Sequence, residues 1–234
     1  CNYFFYEVGY LLGNKSGTYS SKEGLDYLKK YATQLGLNKK SGIELDEASP
    51  QASDESSVRS AIGQGSNSYT PSQIANYVTT LSNRGTVFDL SIMDKITDED
   101  GKTVKKYKVK EKRQLNYKDE YWDAVQSGMR GVVTGAGSSV SSVFRGAKYQ
   151  IAGKTGTAQE DKTRPNHALF TSYGPYEDPE IAVAAVIPFG YTSSNAASLA
   201  KNIYDYYFAN DKEKEKLEKN NQTATEAASG VVGD

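Results

Sequence analysis

The reading of this chain turns on residues 152–160, AGKTGTAQE. Ala152, Gly153, Gly156 and Ala158 carry little or no side chain, so a second extended backbone can lie beside them and pair with them. Thr155 and Thr157 are strand formers. The two-residue period of a strand turns them to one face, where their hydroxyls can bind a carboxylate or a carbonyl. Lys154 sets a positive charge at the start of the strand. Gly156 allows a bound molecule close to the backbone, and the N–H after it can donate to a developing oxyanion. Taken alone, a Lys-Thr-Gly tripeptide fits equally a glycine-containing edge strand with a surface lysine, which is the commoner case for so short a match.

Outward from this stretch the chain alternates strand and helix patterns. NHALFTSYG (166–174) and EIAVAAVIPF (180–189) are β-rich, and NAASLAKNIYDYYFAN (195–210) has helical spacing. KDEYWDAVQSGMRGVV (118–133) reads as an amphipathic helix. VFDLSIMDKITDEDGKTVKKYKV (87–109) reads as a hairpin turning at Asp100-Gly101. YTPSQIANYVTTLSNRG (69–85) is a helix with Thr70 as N-cap, Pro71 in the first turn, Gln73 closing a capping box and Gly85 as terminator. YSSKEGLDYLKKYATQLGL (19–37) is another helix, with Ser20 and Glu23 as a capping box and Gly36 near its end. PQASDESSVRS (50–60) is polar and turn-like. Beyond Asn210 the sequence changes to alternating charge and then to small polar residues, so 211–234 is expected to be a frayed helix end and a disordered tail. Helices with adjacent β-runs predict an α+β layer fold, helices packed on an antiparallel sheet.

The bulk properties narrow the function classes. The chain has 234 residues, 37% hydrophobic and 24% charged, with a net charge of −1. No basic excess points to nucleic acid as a partner. The single cysteine, Cys1, rules out an internal disulfide. One histidine, one cysteine and no clustered acid–His spacing leave no basis for a metal site, and no cofactor motif is present. No apolar run is long enough to span a bilayer, and no signal peptide is visible.

The wider pattern carries a family resemblance. AGKTGTAQ resembles the third signature of the serine penicillin-binding proteins and β-lactamases, whose set is S-x-x-K, S-x-N and K-T-G. Cys1-Asn2 looks like the last two positions of S-x-N. CNYFFYEVGYLLG (1–13), LGLNKKSGIEL (35–45), AIGQGSNSYTPSQIANYVTTLSNRGTV (61–87), YWDAVQSGMRGVVT (121–134), NHALFTSYGPYEDPEIAVAAVIPFG (166–190) and AKNIYDYYF (200–208) are similar, in the same order, to class B penicillin-binding proteins. The resemblance covers most of residues 1 to about 208. It implies the penicillin-binding protein/serine β-lactamase-like transpeptidase fold, incomplete at the N-terminal side. Residues 1–210 would be the C-terminal part of the transpeptidase domain, and 211–234 the tail.

The resemblance also implies a chemistry. A serine attacks the carbonyl between two D-alanines of a peptidoglycan stem peptide, an acyl-enzyme forms, and an amine from a neighbouring stem peptide resolves it into a cross-link. β-Lactams acylate the same serine. Asn2 would be the Asn of S-x-N, holding the catalytic lysine and the substrate amide. Lys154 would supply positive potential. Thr155 and Thr157 would bind the substrate's terminal carboxylate, Gly156 would lie against substrate, and the Thr157 N–H would form half of the oxyanion hole. No cofactor or metal is implied. Implied partners are stem peptides, β-lactams and membrane-bound cell-wall assembly proteins, a glycosyltransferase among them, at the extracytoplasmic face of the bacterial membrane, with the anchor and the S-x-x-K residues upstream. A β-lactam-sensing receptor domain, an inactive structural homologue and a β-lactamase or carboxypeptidase are the competing readings.

Two chance motifs compete for the nucleophile. Ser198-Leu199-Ala200-Lys201 fits S-x-x-K and Ser193-Ser194-Asn195 fits S-x-N, but both follow Lys154, against the family's order. Ser193 or Ser194 is expected to be a helix N-cap and Lys201 a solvated position. His167, the only histidine, is expected to be a hydrogen-bonded residue at a strand start, with no acidic partner recognisable nearby.

Overall fold

The computed structural model describes residues 1–229. In chain order its elements are α1 (Asn2–Gly13), α2 (Ser21–Gln34), α3 (Ser57–Ala61), α4 (Pro71–Ser82), β1 (Thr86–Asp89), β2 (Lys95–Thr97), β3 (Thr103–Lys106), β4 (Lys110–Gln114), α5 (Asp119–Thr134), β5 (Ala152–Ala158), β6 (His167–Gly174), β7 (Ile181–Ile187), α6 (Ser193–Tyr207) and α7 (Asp211–Ser229). This is the predicted α+β arrangement, with helices on both faces of an antiparallel sheet.

That sheet has the order β5-β6-β7, so β5 is an edge strand. Its register pairs Lys154 with Thr171, Thr155 with Phe170, Gly156 with Leu169 and Thr157 with Ala168. Alternation then fixes the two faces. Ala168, Phe170, Val183 and Ala185 form one core with Ala196, Ala197, Ala200 and Tyr204 of α6. The alanines let α6 approach closely. Tyr204, fully buried, keeps its hydroxyl satisfied through Ser172 Oγ at 2.9 Å. Ala152 and Tyr173 face the other way, into a second core with Val78 and Leu81 of α4 and Trp122 and Met129 of α5. Full burial of a side chain such as Phe170 stabilises the fold by roughly 1.5–3 kcal/mol.

The helix signals read from the sequence hold for α4 and in part for α2. Thr70 caps α4 by accepting from Gln73 N, and Gln73 Oε1 accepts from Thr70 N at 3.0 Å, so the capping box is complete. Ser20 caps α2, accepting from Glu23 N, but the Glu23 carboxylate accepts from Ser16 Oγ at 2.8 Å, so the expected capping box is half formed. That helix ends with Gly36 at φ 91°, with Gly36 N donating to Thr33 O and Leu37 N to Ala32 O. Only glycine adopts that backbone at little cost, which is why the helix stops there.

Three further expectations need correction. The N-cap of α6 is Thr192, whose side chain accepts from Ser194 N at 3.2 Å; Ser193 and Ser194 lie inside the helix. The 87–109 hairpin is nested: β2 pairs β3 across Gly101, while β1 pairs β4, a strand whose run of charges hid it. The polar 50–60 stretch leads into the short helix α3, capped by Ser56. After residue 210 the chain continues as helix α7 over Asp211–Ser229, with Lys148–Glu213 at 2.6 Å and Tyr206–Glu218 at 2.8 Å joining it to the body. Residues 230–234 of the expected tail lie outside the described residues.

Candidate active site

Strand β5 carries four of the five residues singled out above. Lys154 and Gly156 share the face toward α4, and Thr155 and Thr157 share the face toward α6, as the register requires. Lys154 and Thr157 are exposed, Thr155 and Gly156 half-buried. The Lys154 ammonium donates to the carbonyl oxygen of Thr155 at 2.7 Å. Its side chain opens to solvent, yet the surrounding protein removes enough water to hold its pKa below the usual lysine value. A cation so placed is partly desolvated and available to an incoming anion.

The glycines have an internal reason as well. A Cβ on Gly153 would stand 2.5 Å from Phe170 Cζ, and one on Gly156 would stand 3.1 Å from Leu169 Cβ. The small side of β5 is therefore also demanded by β6 beneath it.

Asn2 lies on a different element. It is the first residue of α1 and exposed. Helix α1 packs on α2 and α3, with Gly9 and Gly13 at the contact; a Cβ on Gly9 would be 2.6 Å from Ser57 O. Strand β5 packs on β6, α5 and α6. No hydrogen bond or ion pair among the described residues joins Asn2 to Lys154. The rest of α1 presents Tyr3, Phe4, Phe5 and Leu11 to solvent. A polar cleft of about 310 Å³ lined by Ser82, Arg84, Asp123, Gln126, Tyr176 and Glu177 lies apart from β5.

The rejected candidates have structural occupations. Ser198 Oγ donates back to Ser194 O at 2.9 Å within α6, Lys201 pairs with Asp205 at 2.5 Å, and Asn195 Nδ2 donates to Gly190 O at 2.8 Å. His167 accepts from Phe189 N through Nδ1 at 3.1 Å, and its ring packs on the Phe189 ring. Its Nε2 lies 3.4 Å from Glu160 Oε2, an acidic partner that the sequence reading missed. Glu160 comes within reach because β5 and β6 are paired from Ala158↔His167 backward, which brings the two ends of the intervening loop together. Among the described residues no group of His, Cys, Asp and Glu is arranged to hold a metal ion, and no helix is long and apolar enough to cross a membrane.

Comparison with known proteins supplies the context for this strand. The family model described as the penicillin binding protein transpeptidase domain matches residues 1–205. A Haemophilus influenzae protein named peptidoglycan D,D-transpeptidase MrdA is 30% identical over 241 aligned positions, covering 87% of this chain and 34% of that relative. Among solved structures, penicillin-binding protein 2B of Streptococcus pneumoniae superposes with a TM-score of 0.77 at 24% identity, over 90% of this chain and 38% of that one. A complex between penicillin-binding protein PBP2 and MreC from Helicobacter pylori gives a TM-score of 0.68 at 22% identity, over 93% of this chain and 38% of that one. The chain thus spans about a third of the length of the curated relatives it matches.

Proposed function

Since this chain belongs to the penicillin-binding-protein transpeptidase family, whose model matches residues 1–205, we propose that it is part of a peptidoglycan D,D-transpeptidase. The observation that carries the reading is the open edge of β5, where Lys154 stands beside two threonines and a glycine with no neighbouring strand on that side.

In this reading the stem peptide lies along β5 and pairs with its free edge. Lys154 supplies positive potential beside the peptide, and Thr155 and Thr157 donate hydroxyl hydrogen bonds to its terminal carboxylate. In an antiparallel ladder the main-chain groups of alternate residues point the same way, so the Thr155 carbonyl and the Thr157 N–H belong to one set. The Lys154 ammonium on the Thr155 carbonyl supports an outward direction for that set. The Thr157 N–H is then free to donate to the oxygen of the scissile carbonyl as it becomes an anion.

The nucleophile is assigned to the S-x-x-K serine of the full-length protein, because Ser198-Leu199-Ala200-Lys201, which fits that pattern, follows Lys154 against the family's order. The serine oxygen forms a bond to the penultimate D-Ala carbonyl carbon while its proton passes to the lysine of that motif. The C–N bond then breaks, and the terminal D-Ala nitrogen takes the proton back. An amine of a second stem peptide attacks the acyl-enzyme, releases the serine and forms the cross-link. Asn2 holds the catalytic lysine and the substrate amide. β-Lactams acylate the same serine. Membrane-bound cell-wall assembly proteins, including a glycosyltransferase, are the proposed partners, at the extracytoplasmic face.

The test is labelling of the full-length protein with fluorescent penicillin, the labelled residue being located by peptide mass. Label on a serine of an S-x-x-K motif outside residues 1–234 supports the assignment. Label on Ser198, or none on folded protein, overturns it; absence of label would favour a structural homologue within a cell-wall complex.

A further inference from the structure

Strands β2 and β3 form a hairpin whose residues are all exposed, and no other element packs firmly on it. A two-stranded hairpin alone is marginal in water, so this one gains little from the body of the protein. Its chemistry is lopsided. Asp98, Glu99 and Asp100 gather at the turn, while from Lys102 to Lys108, along β3 and just beyond it, four of seven residues are Lys and none is acidic. Lys95 stands directly opposite Lys106, an unfavourable cross-strand pair. Lys95, Lys105, Lys106 and Lys108 have no acidic partner among the described residues. Aliphatic side chains are interleaved with them: Val104 is 68% exposed, Val109, just past β3, is 79% exposed, and Ile96 stands opposite Lys105. The sheet consists of these two strands alone, so the main-chain groups along its outer edges have no strand partner.

We propose that this hairpin is a docking edge for an extended, acidic segment of a partner protein, which adds as a strand beside β3. Three features point to that occupant over others. A phosphate-rich polymer would answer the lysines but leave Val104, Val109 and the main-chain edge uncovered. An anionic bilayer would cover lysines and aliphatics, yet it offers no regular N–H and C=O groups to the strand edge. A peptide strand with alternating carboxylates and aliphatics answers all three at once. Lysines on an edge also discourage pairing with a second copy of the same basic strand, so the surface selects against itself and for an acidic partner.

The probe is a fluorescein-labelled peptide of alternating Glu and Val, titrated into the full-length protein and followed by anisotropy. Binding is expected, weakening as salt rises. N-methylation of alternate peptide nitrogens, which blocks strand pairing without touching charge, is expected to abolish it. Lys105→Glu with Lys106→Glu is expected to weaken it about tenfold or more, while penicillin labelling stays unchanged. Equal binding of the N-methylated peptide, or of inorganic polyphosphate, would reduce the surface to a general polyanion patch and overturn the proposal. Binding only to vesicles of anionic phospholipid, or no binding at all, would overturn it too.

Discussion

At the scale of single residues, Lys154 concentrates the chemistry. Replacing it with alanine removes the positive charge beside the substrate. Acylation of the full-length protein by penicillin is expected to slow by about 10²–10³-fold, in the range set by loss of one preorganised electrostatic contact. The circular dichroism spectrum should not change. Burial lowers the pKa of Lys154, so its charge is lost at a lower pH than that of a free lysine. The alkaline fall in acylation rate that follows this loss should move to higher pH in Lys154→Arg, whose guanidinium stays charged. His167 acts on the fold. It holds Phe189, a non-glycine residue at φ 53°, through the 3.1 Å bond to Phe189 N. His167→Ala should cost about 1–3 kcal/mol in thermal unfolding by orphaning that N–H. The β5 residues were legible in the sequence because small residues and a lysine on a strand make a readable pattern. Glu160 was not, because its partnership with His167 is created by strand pairing and leaves no local mark.

At the scale of elements, Glu47 ties the loop between α2 and α3 to the N-terminus of α4. Its carboxylate accepts from Ser41 N at 2.6 Å and Thr70 Oγ1 at 2.9 Å, and from the Ser72 hydroxyl. Burial alone would raise its pKa, but these hydrogen bonds outweigh burial and hold it below the usual carboxylate value. A group depressed in the folded state adds stability that is fully present above its unfolded pKa, near 4.3 for Glu, and lost as pH falls through the lower folded value. Glu47→Gln should therefore flatten the acid limb of the stability curve, read as urea midpoints at descending pH, and lower the midpoint at neutral pH. An unchanged acid limb would show that Glu47 does not anchor α4. The helices were readable because capping is local: Thr70, Gln73 and Gly36 announce it within four residues. Strand β4 escaped, since KEKRQ has no apolar alternation and is held by pairing with β1. The true cap of α6 was missed by one residue because Thr192, Ser193 and Ser194 are all competent caps and only the backbone path chooses.

At the scale of the whole molecule, the charged segment after Asn210 is separable from the rest. Helix α7 touches the body through α6 and through exposed contacts such as Lys148–Glu213. Exposed ion pairs contribute about 0–1 kcal/mol each. Truncation after Asn210 should lower thermal stability by no more than about 1 kcal/mol and leave penicillin labelling intact. A large loss would make the helix part of the domain. The antiparallel sheet and its two helical faces were foreseeable from β-runs flanked by helix patterns.

Penicillin labelling cannot by itself distinguish a transpeptidase from a receptor that is acylated and signals. The deciding measurement is release of D-alanine by the full-length protein from stem pentapeptides on peptidoglycan strands, followed by mass spectrometry together with the cross-linked dimer. An active transpeptidase gives D-alanine and dimer in equal amounts, both suppressed by penicillin and both reduced in Lys154→Ala. A protein that takes the penicillin label on folded material yet yields neither product would contradict the account.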